Sequence, residues 1–204
     1  FPFMDEFPNY QHFDEALSPE HKRRIMTFYR SMIQRHMYAT GKKYYVAKNP
    51  AFSAKIETLA EFFPEARIIY LARNPLDMLP STVSWINYAR RQFTDPKEKW
   101  LYLDEIKDLT QHWYSHPLKY LDAHPSPRNL ILNYDDLIQR PEAVLRAFYE
   151  QFGYPDKPGL EIIVDEAVKE TMTFNSDHVY SYEEMGFTRE QIVGMYPEIF
   201  ERFG

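Results

Sequence analysis

Arg73 and Ser81 are the residues of this sequence whose types and spacing most directly point to chemistry. They lie in RIIYLARNPLDMLPS (67–81), where an apolar run from Ile68 to Ala72 ends abruptly in a charge. A guanidinium fork gives paired, charge-assisted bonds to an oxyanion, a hydroxyl adds a neutral donor, and a helix N-terminus adds a favourable dipole. That combination suits a phosphate. In parallel α/β sheets, ligands bind beyond the carboxyl ends of the strands, where loops lead into helices, and Arg73 stands at such an end. Pro75 and Asp77 suit the first turn of a helix, and Pro80 is tolerated only near there because it has no N–H to donate. The simplest geometry caps the helix near Asp77 and brings Arg73, Ser81 and free backbone N–H groups to one point. The competing reading pairs Arg73 with Asp77 and makes Ser81 a packing residue on a kinked helix.

The surrounding pattern supplies the elements that must position these groups. Ser18, Pro19 and Glu20 make a helix start, the spacing of Ile25, Phe28, Tyr29, Met32, Ile33 and His36 is helical, and Gly41 is a terminator. That stripe puts His36 on the apolar face, as a core residue. YYVAK (44–48) reads as a short strand, and Phe52 to Phe63 as a helix closed before Pro64. RIIYLA (67–72) is apolar enough for a strand buried on both faces. Asp95, Pro96 and Glu98 resemble a capping box opening a long helix to about Leu121. LILNY (130–134) is a third strand, Pro141 opens a helix ending at Gly153, and the tail from Gly159 to Gly204 is mostly helical with a loop near 175–178. Alternation of strand and helix predicts one domain over 1–204, a three-layer α/β fold with a parallel sheet flanked by helices.

Composition narrows the function. With 204 residues, 44% hydrophobic and 26% charged, the chain can bury a real core. A net charge of −6 argues against a general nucleic-acid surface, while leaving room for a single anionic ligand. No cysteine is present, which excludes disulfides and thiolate chemistry and favours a reducing, cytoplasmic setting. No apolar run approaches the roughly 20 residues of a membrane span. No histidine or carboxylate cluster has convincing metal-ligand spacing, and His12, His112 and His116 carry no spacing signal.

The strand-Arg-Asn-Pro-x-Asp-x-x-x-Ser run resembles the 3′-phosphate-binding element of sulfotransferases that use 3′-phosphoadenosine 5′-phosphosulfate (PAPS). AKNPAFSAKIETLAEFFPEARIIYLARNP (47–75) resembles the bacterial-type branch of that family. NYDDLIQRPEAVLRAFYEQFGYP (133–155) resembles its Tyr-Glu-Asp-Leu segment, and HVYSYEEMGFTREQI (178–192) its C-terminal His-x-Tyr…Gly element. These stretches run in the family's order from about residue 18 to the end. The resemblance implies a P-loop-like fold, PAPS as co-substrate, no metal, and sulfuryl transfer to an acceptor hydroxyl or amine. It assigns Arg73 and Ser81 to the 3′-phosphate, Tyr134 to the neighbourhood of adenine, and Lys48 to the sulfuryl group. His178 is the one histidine inside a family-like element and becomes the candidate base, because Pro50 stands where cytosolic members carry a histidine.

One part of the family pattern is absent from the sequence. No Pro-x-Ser-Gly-Thr-Thr type loop for the 5′-phosphosulfate occurs, so the chain reads as a sulfotransferase domain without its N-terminal strand and loop. A non-catalytic domain that binds a 3′-phosphonucleotide or a protein partner is therefore the alternative, and a nucleotide kinase a second one, although no Gly-x-x-x-x-Gly-Lys-Ser/Thr loop is visible. The acceptor class stays open among small molecules, lipids and carbohydrates. An incomplete sheet would leave apolar surface that invites self-association into a homo-oligomer.

Overall fold

The computed structural model describes residues 8–93, 99–154, 159–173 and 181–203. In chain order the first elements are α1 (Pro8–Gln11), α2 (Phe13–Ala16), α3 (Pro19–Thr40), a 3-10 turn (Pro50–Lys55), α4 (Ile56–Phe62) and β1 (Ile68–Ala72). There follow α5 (Pro75–Arg91), α6 (Leu103–Ala123), β2 (Asn129–Asn133), α7 (Tyr134–Gln139) and α8 (Pro141–Phe152). The last are α9 (Leu160–Thr173), a 3-10 turn (Glu183–Met185), α10 (Arg189–Met195) and α11 (Pro197–Phe203). The class is α/β, mostly helical with a small parallel sheet. Two compact units interleave along the chain. The first takes the described residues up to Ala66 together with Asp108–Ala123, and the second takes Arg67–Lys107 and the described residues from His124 onward.

In the first unit, α3 begins and ends where local chemistry dictates. The Ser18 side chain accepts the His21 N–H at 3.3 Å, Pro19 fills the first helical position, and Gly41 closes the helix at φ 63°. A left-handed backbone at that position is where glycine carries no Cβ penalty. The core gathers around Phe13, Met26 and Ala54, with Ile25, Tyr29, Leu59, Phe62, Phe63 and Trp113 packed on it. The buried stripe of α3 is narrower than the sequence spacing suggests. Phe28 and Met32 are exposed, and so is His36, whose ring meets Tyr45 edge-on; it is not a core residue.

Residues 44–48 form no strand. A strand exists through the ladder it shares with a neighbour, and these residues pair with nothing in the sheet; Val46 is 90% exposed. Of the three expected strands, two form.

Those two make the centre of the second unit. β1 and β2 pair in parallel, in a register that sets Ile68 beside Asn129 and Ala72 beside Asn133. Burial along β1 alternates, and Ile69 and Leu71 stay 43% and 39% exposed, so the strand is not covered on both faces as its apolarity suggested. β1 leads into α5, which buries Leu79, Val83 and Ile86 along one stripe. The start of α6 also differs from expectation. Residues 94–98 lie outside the described residues, yet 99–102 are not helical, Tyr102 takes φ 60°, and the helix opens at Leu103. α8 runs from Pro141 and stops at Gly153 (φ 61°), as its punctuation predicts. Among the described residues, no helix is long and apolar enough to cross a membrane.

Candidate functional site

The parallel register decides which side chains meet at the carboxyl ends of the strands. Because Ala72 lies beside Asn133, the next residues, Arg73 and Tyr134, leave the sheet together. The Arg73 guanidinium sits over the Tyr134 ring, 5.3 Å from its centroid, within cation–π reach. Each strand then hands over to a helix through an asparagine. Asn74 Oδ1 accepts the Leu76 N–H at 3.0 Å, and Asn133 Oδ1 accepts the Asp135 N–H at 3.0 Å. The two caps border a small cleft lined by Asn74, Pro75, Asn133, Asp135, Ile199, Phe200 and Phe203. Its volume of about 10 Å³ has room for a water, not for a nucleotide.

Helix α5 is capped at Asn74, three residues before the position expected near Asp77. The dipeptide Asn74-Pro75 is itself a start signal, a side-chain acceptor followed by a residue with no N–H to satisfy. The correction alters the chemistry. Leu76 donates to the Asn74 side chain, while Asp77 and Met78 donate to the Asn74 carbonyl at 3.1 and 2.9 Å, so the opening N–H groups are already used. Ser81 lies seven residues beyond the cap, two helical turns or roughly 10 Å along the axis, on the face that carries Asn74. It is half-buried. Any phosphate held by both Arg73 and Ser81 lies along the flank of α5, not at its tip. Replacing Asn74 by Ala should cost about 0.5–2 kcal/mol of stability, read as a lower urea midpoint at unchanged slope; an unmoved midpoint would assign the cap no energetic role.

Lys48 is exposed, in the irregular segment before the Asn49-capped 3-10 turn of the first unit. Arg73, Ser81 and Tyr134 all belong to the second unit. His178 lies outside the described residues.

A second constellation, within the first unit, was not legible from spacing. Asp14 is buried, with its side chain 1% exposed. Its carboxylate accepts the Glu57 N–H at 3.0 Å, the Thr58 N–H at 3.2 Å, the Thr58 hydroxyl, and a bond from His116 Nε2 at 2.9 Å. Burial alone would raise the Asp14 carboxyl; the bonds from His116, Thr58 and the Glu57 backbone outweigh it and hold it below the ordinary carboxylate value. Burial likewise disfavours charge on His116, but Asp14 and Glu15 reverse the balance and raise it. Glu15 reaches His116 Nδ1 at 3.1 Å, and His12 Nε2 lies 3.0 Å from Asp108. The His112 ring stands between, 4.2 Å from the His12 ring and stacked at 4.8 Å on that of His116. The spacing sets Asp108, His112 and His116 on one helix face at intervals of four, but nothing in it brings them to His12, Asp14 and Glu15.

Comparison with known proteins bears on the Arg73 site. The sequence model described as the sulfotransferase family matches residues 3–158. Omega-hydroxy-beta-dihydromenaquinone-9 sulfotransferase Stf3 of Mycobacterium bovis, and its counterpart in Mycobacterium tuberculosis, are 30% identical over 129 residues. That stretch is 59% of this chain and 31% of theirs, so the chain spans about a third of the length of the curated relatives it matches. The crystal structure of sulfotransferase STF9 from Mycobacterium avium shares the fold at a TM-score of 0.63 and 21% identity, over 76% of this chain and 41% of that one. With three quarters of its residues inside the family match, the chain belongs to the sulfotransferase family.

Proposed function

We propose that this chain takes part in sulfuryl transfer from PAPS to an acceptor hydroxyl or amine. The observation that carries the reading is the side-by-side exit of Arg73 and Tyr134 from paired parallel strands, in a chain of this family. An arginine fork and an aromatic ring are complementary to a 3′-phosphate and an adenine on one nucleoside. Arg73 already covers one face of the Tyr134 ring, so adenine would take the other. Ser81 would add a hydroxyl to the phosphate from the flank of α5.

In the transfer, the acceptor oxygen or nitrogen bonds to sulfur while the bond from sulfur to the 5′-phosphate oxygen breaks. 3′-Phosphoadenosine 5′-phosphate leaves, and the acceptor proton passes to a base. By analogy with phosphoryl transfer, the protein positions the groups and offsets charge at the leaving oxygen. We assign the charge-offsetting role to Lys48 and the base to His178, both on family resemblance. The omega-hydroxy acceptor in the name of the mycobacterial relative makes the hydroxyl of a menaquinone-like small molecule the first acceptor class to test.

The test is calorimetric titration of the chain with 3′-phosphoadenosine 5′-phosphate and with 5′-AMP. The reading expects a clear preference for the ligand with the 3′-phosphate. Equal affinity, or none for either in a folded chain, would sink it. Binding without turnover of PAPS would favour the non-catalytic alternative.

A further inference from the structure

The first unit holds a site of a different kind. His12 stands at the N-cap of α2, Glu15 lies within α2, and His112 lies on α6; one ligand atom from each lies within 4.8 Å of the others. Asp108, one turn before His112, places its Oδ2 3.0 Å from His12 Nε2. An independent observation comes from His112 itself. Its side chain is only 10% exposed, and its Nε2 makes no hydrogen bond among the described residues. Facing that nitrogen is Glu15 Oε2 at 3.6 Å, beyond hydrogen-bond reach. A buried polar nitrogen without a partner is costly. In the tautomer with its proton on Nδ1, His112 turns an Nε2 lone pair toward the carboxylate, across a gap that a cation would satisfy on both sides.

We propose that His12, His112 and Glu15 bind one divalent transition-metal ion, with Asp108 as the fourth ligand. Two imidazoles with carboxylates suit Zn²⁺ best, because soft thiolates are absent and the hard, all-oxygen sets of Mg²⁺ and Ca²⁺ are not matched. Metal–ligand bonds of about 2.0–2.2 Å place tetrahedral ligand atoms about 3.4 Å apart. The His112–Glu15 pair is already near that separation, and the widest pair among His12, Glu15 and His112 needs to close by little more than about 1 Å; Asp108 would follow His12, which it already meets. The ligands are held from behind: Glu15 Oε1 meets His116 Nδ1 at 3.1 Å, and His116 Nε2 in turn meets Asp14 at 2.9 Å. Outer-layer bonds of this type orient a ligand and sharpen metal affinity. The ion would tie α2 to α6 across nearly the whole first half of the chain.

The experiment strips the 204-residue chain with a chelator, then titrates it with Zn²⁺ by calorimetry and with Co²⁺ by visible absorption. The expected result is one Zn²⁺ per chain and the intense d–d bands of a four-coordinate Co²⁺ site. His12→Ala, His112→Ala and Glu15→Gln should each weaken Zn²⁺ binding by at least about tenfold, while His36→Ala, on an exposed histidine elsewhere, leaves it unchanged. His112 is buried, so its variant is read only if circular dichroism shows it folded; His12→Ala and Glu15→Gln decide otherwise. Absence of stoichiometric Zn²⁺ binding, or full affinity in both of those variants, overturns the proposal.

Discussion

Asp14→Ala should lower the unfolding free energy by about 3–5 kcal/mol, the range for removing one partner from a buried charged pair. The carboxylate does two jobs at once. It meets His116, and it accepts the N–H groups of Glu57 and Thr58, the second and third residues of α4. α4 has no side-chain cap of its own, since Lys55 at the boundary makes no capping bond. Asp14 therefore acts as that helix's cap from more than forty residues away. Its loss leaves two backbone donors, a threonine hydroxyl and an imidazole without their acceptor. Each such orphan in a buried place costs about 1–3 kcal/mol, so the effect exceeds that of the local cap at Asn74. Asp14→Asn keeps one acceptor oxygen and should lose about half as much. Urea unfolding followed by circular dichroism measures both; a loss under about 1 kcal/mol for the alanine variant would show that Asp14 does not anchor this unit.

The second large effect concerns ligand binding. Arg73→Ala should weaken 3′-phosphoadenosine 5′-phosphate by about 1.5–3 kcal/mol, tenfold or more, because a charged donor to the phosphate is removed. Affinity for 5′-AMP, which lacks that phosphate, should change little. Arg73→Lys should recover only part of the loss, since an ammonium is a point charge and cannot present the paired fork. The comparison of ligands separates recognition from folding: a misfolded variant loses both nucleotides, a specific one loses only the preference. Equal weakening of the two ligands would place Arg73 on the adenosine, or on the fold, and not on the 3′-phosphate.

What could be read from the chain was whatever local chemistry decides. Ser18 with Pro19, Gly41, Pro141 and Gly153 set their helix ends by caps and backbone freedom, which need no knowledge of the rest of the molecule. Arg73 was legible because an apolar run that breaks into a charge is conspicuous. Its contact with Tyr134 was not, because it depends on the register of two strands about sixty residues apart. Residues 44–48 failed for a similar reason: their composition suits a strand, but a strand also needs a neighbour. The cap at Asn74 was open to reading, and the capacity of Asp77 for the same task obscured it. The histidine and carboxylate cluster hides most deeply. His12, Asp14 and Glu15 meet Asp108, His112 and His116 only after the chain has folded back over 96 to 102 residues.

That last separation sets an order of events as the polypeptide is made. The interleaved units mean that β1 and α5, which belong to the second unit, leave the ribosome before the first unit has received Trp113 and His116. Closing a loop of a hundred residues costs about 2 kcal/mol more than closing one of ten. Asp14 can meet Glu57 and Thr58 as soon as α4 forms, but its bond to His116 must wait until α6 arrives. The local helices α1 to α4 can form early, but the His116 half of the polar anchor is a late step. A fragment cut after Ala66 would keep Phe13, Met26 and Ala54 but lack Trp113 and His116, and so would be without part of the core packing and one partner of the buried Asp14.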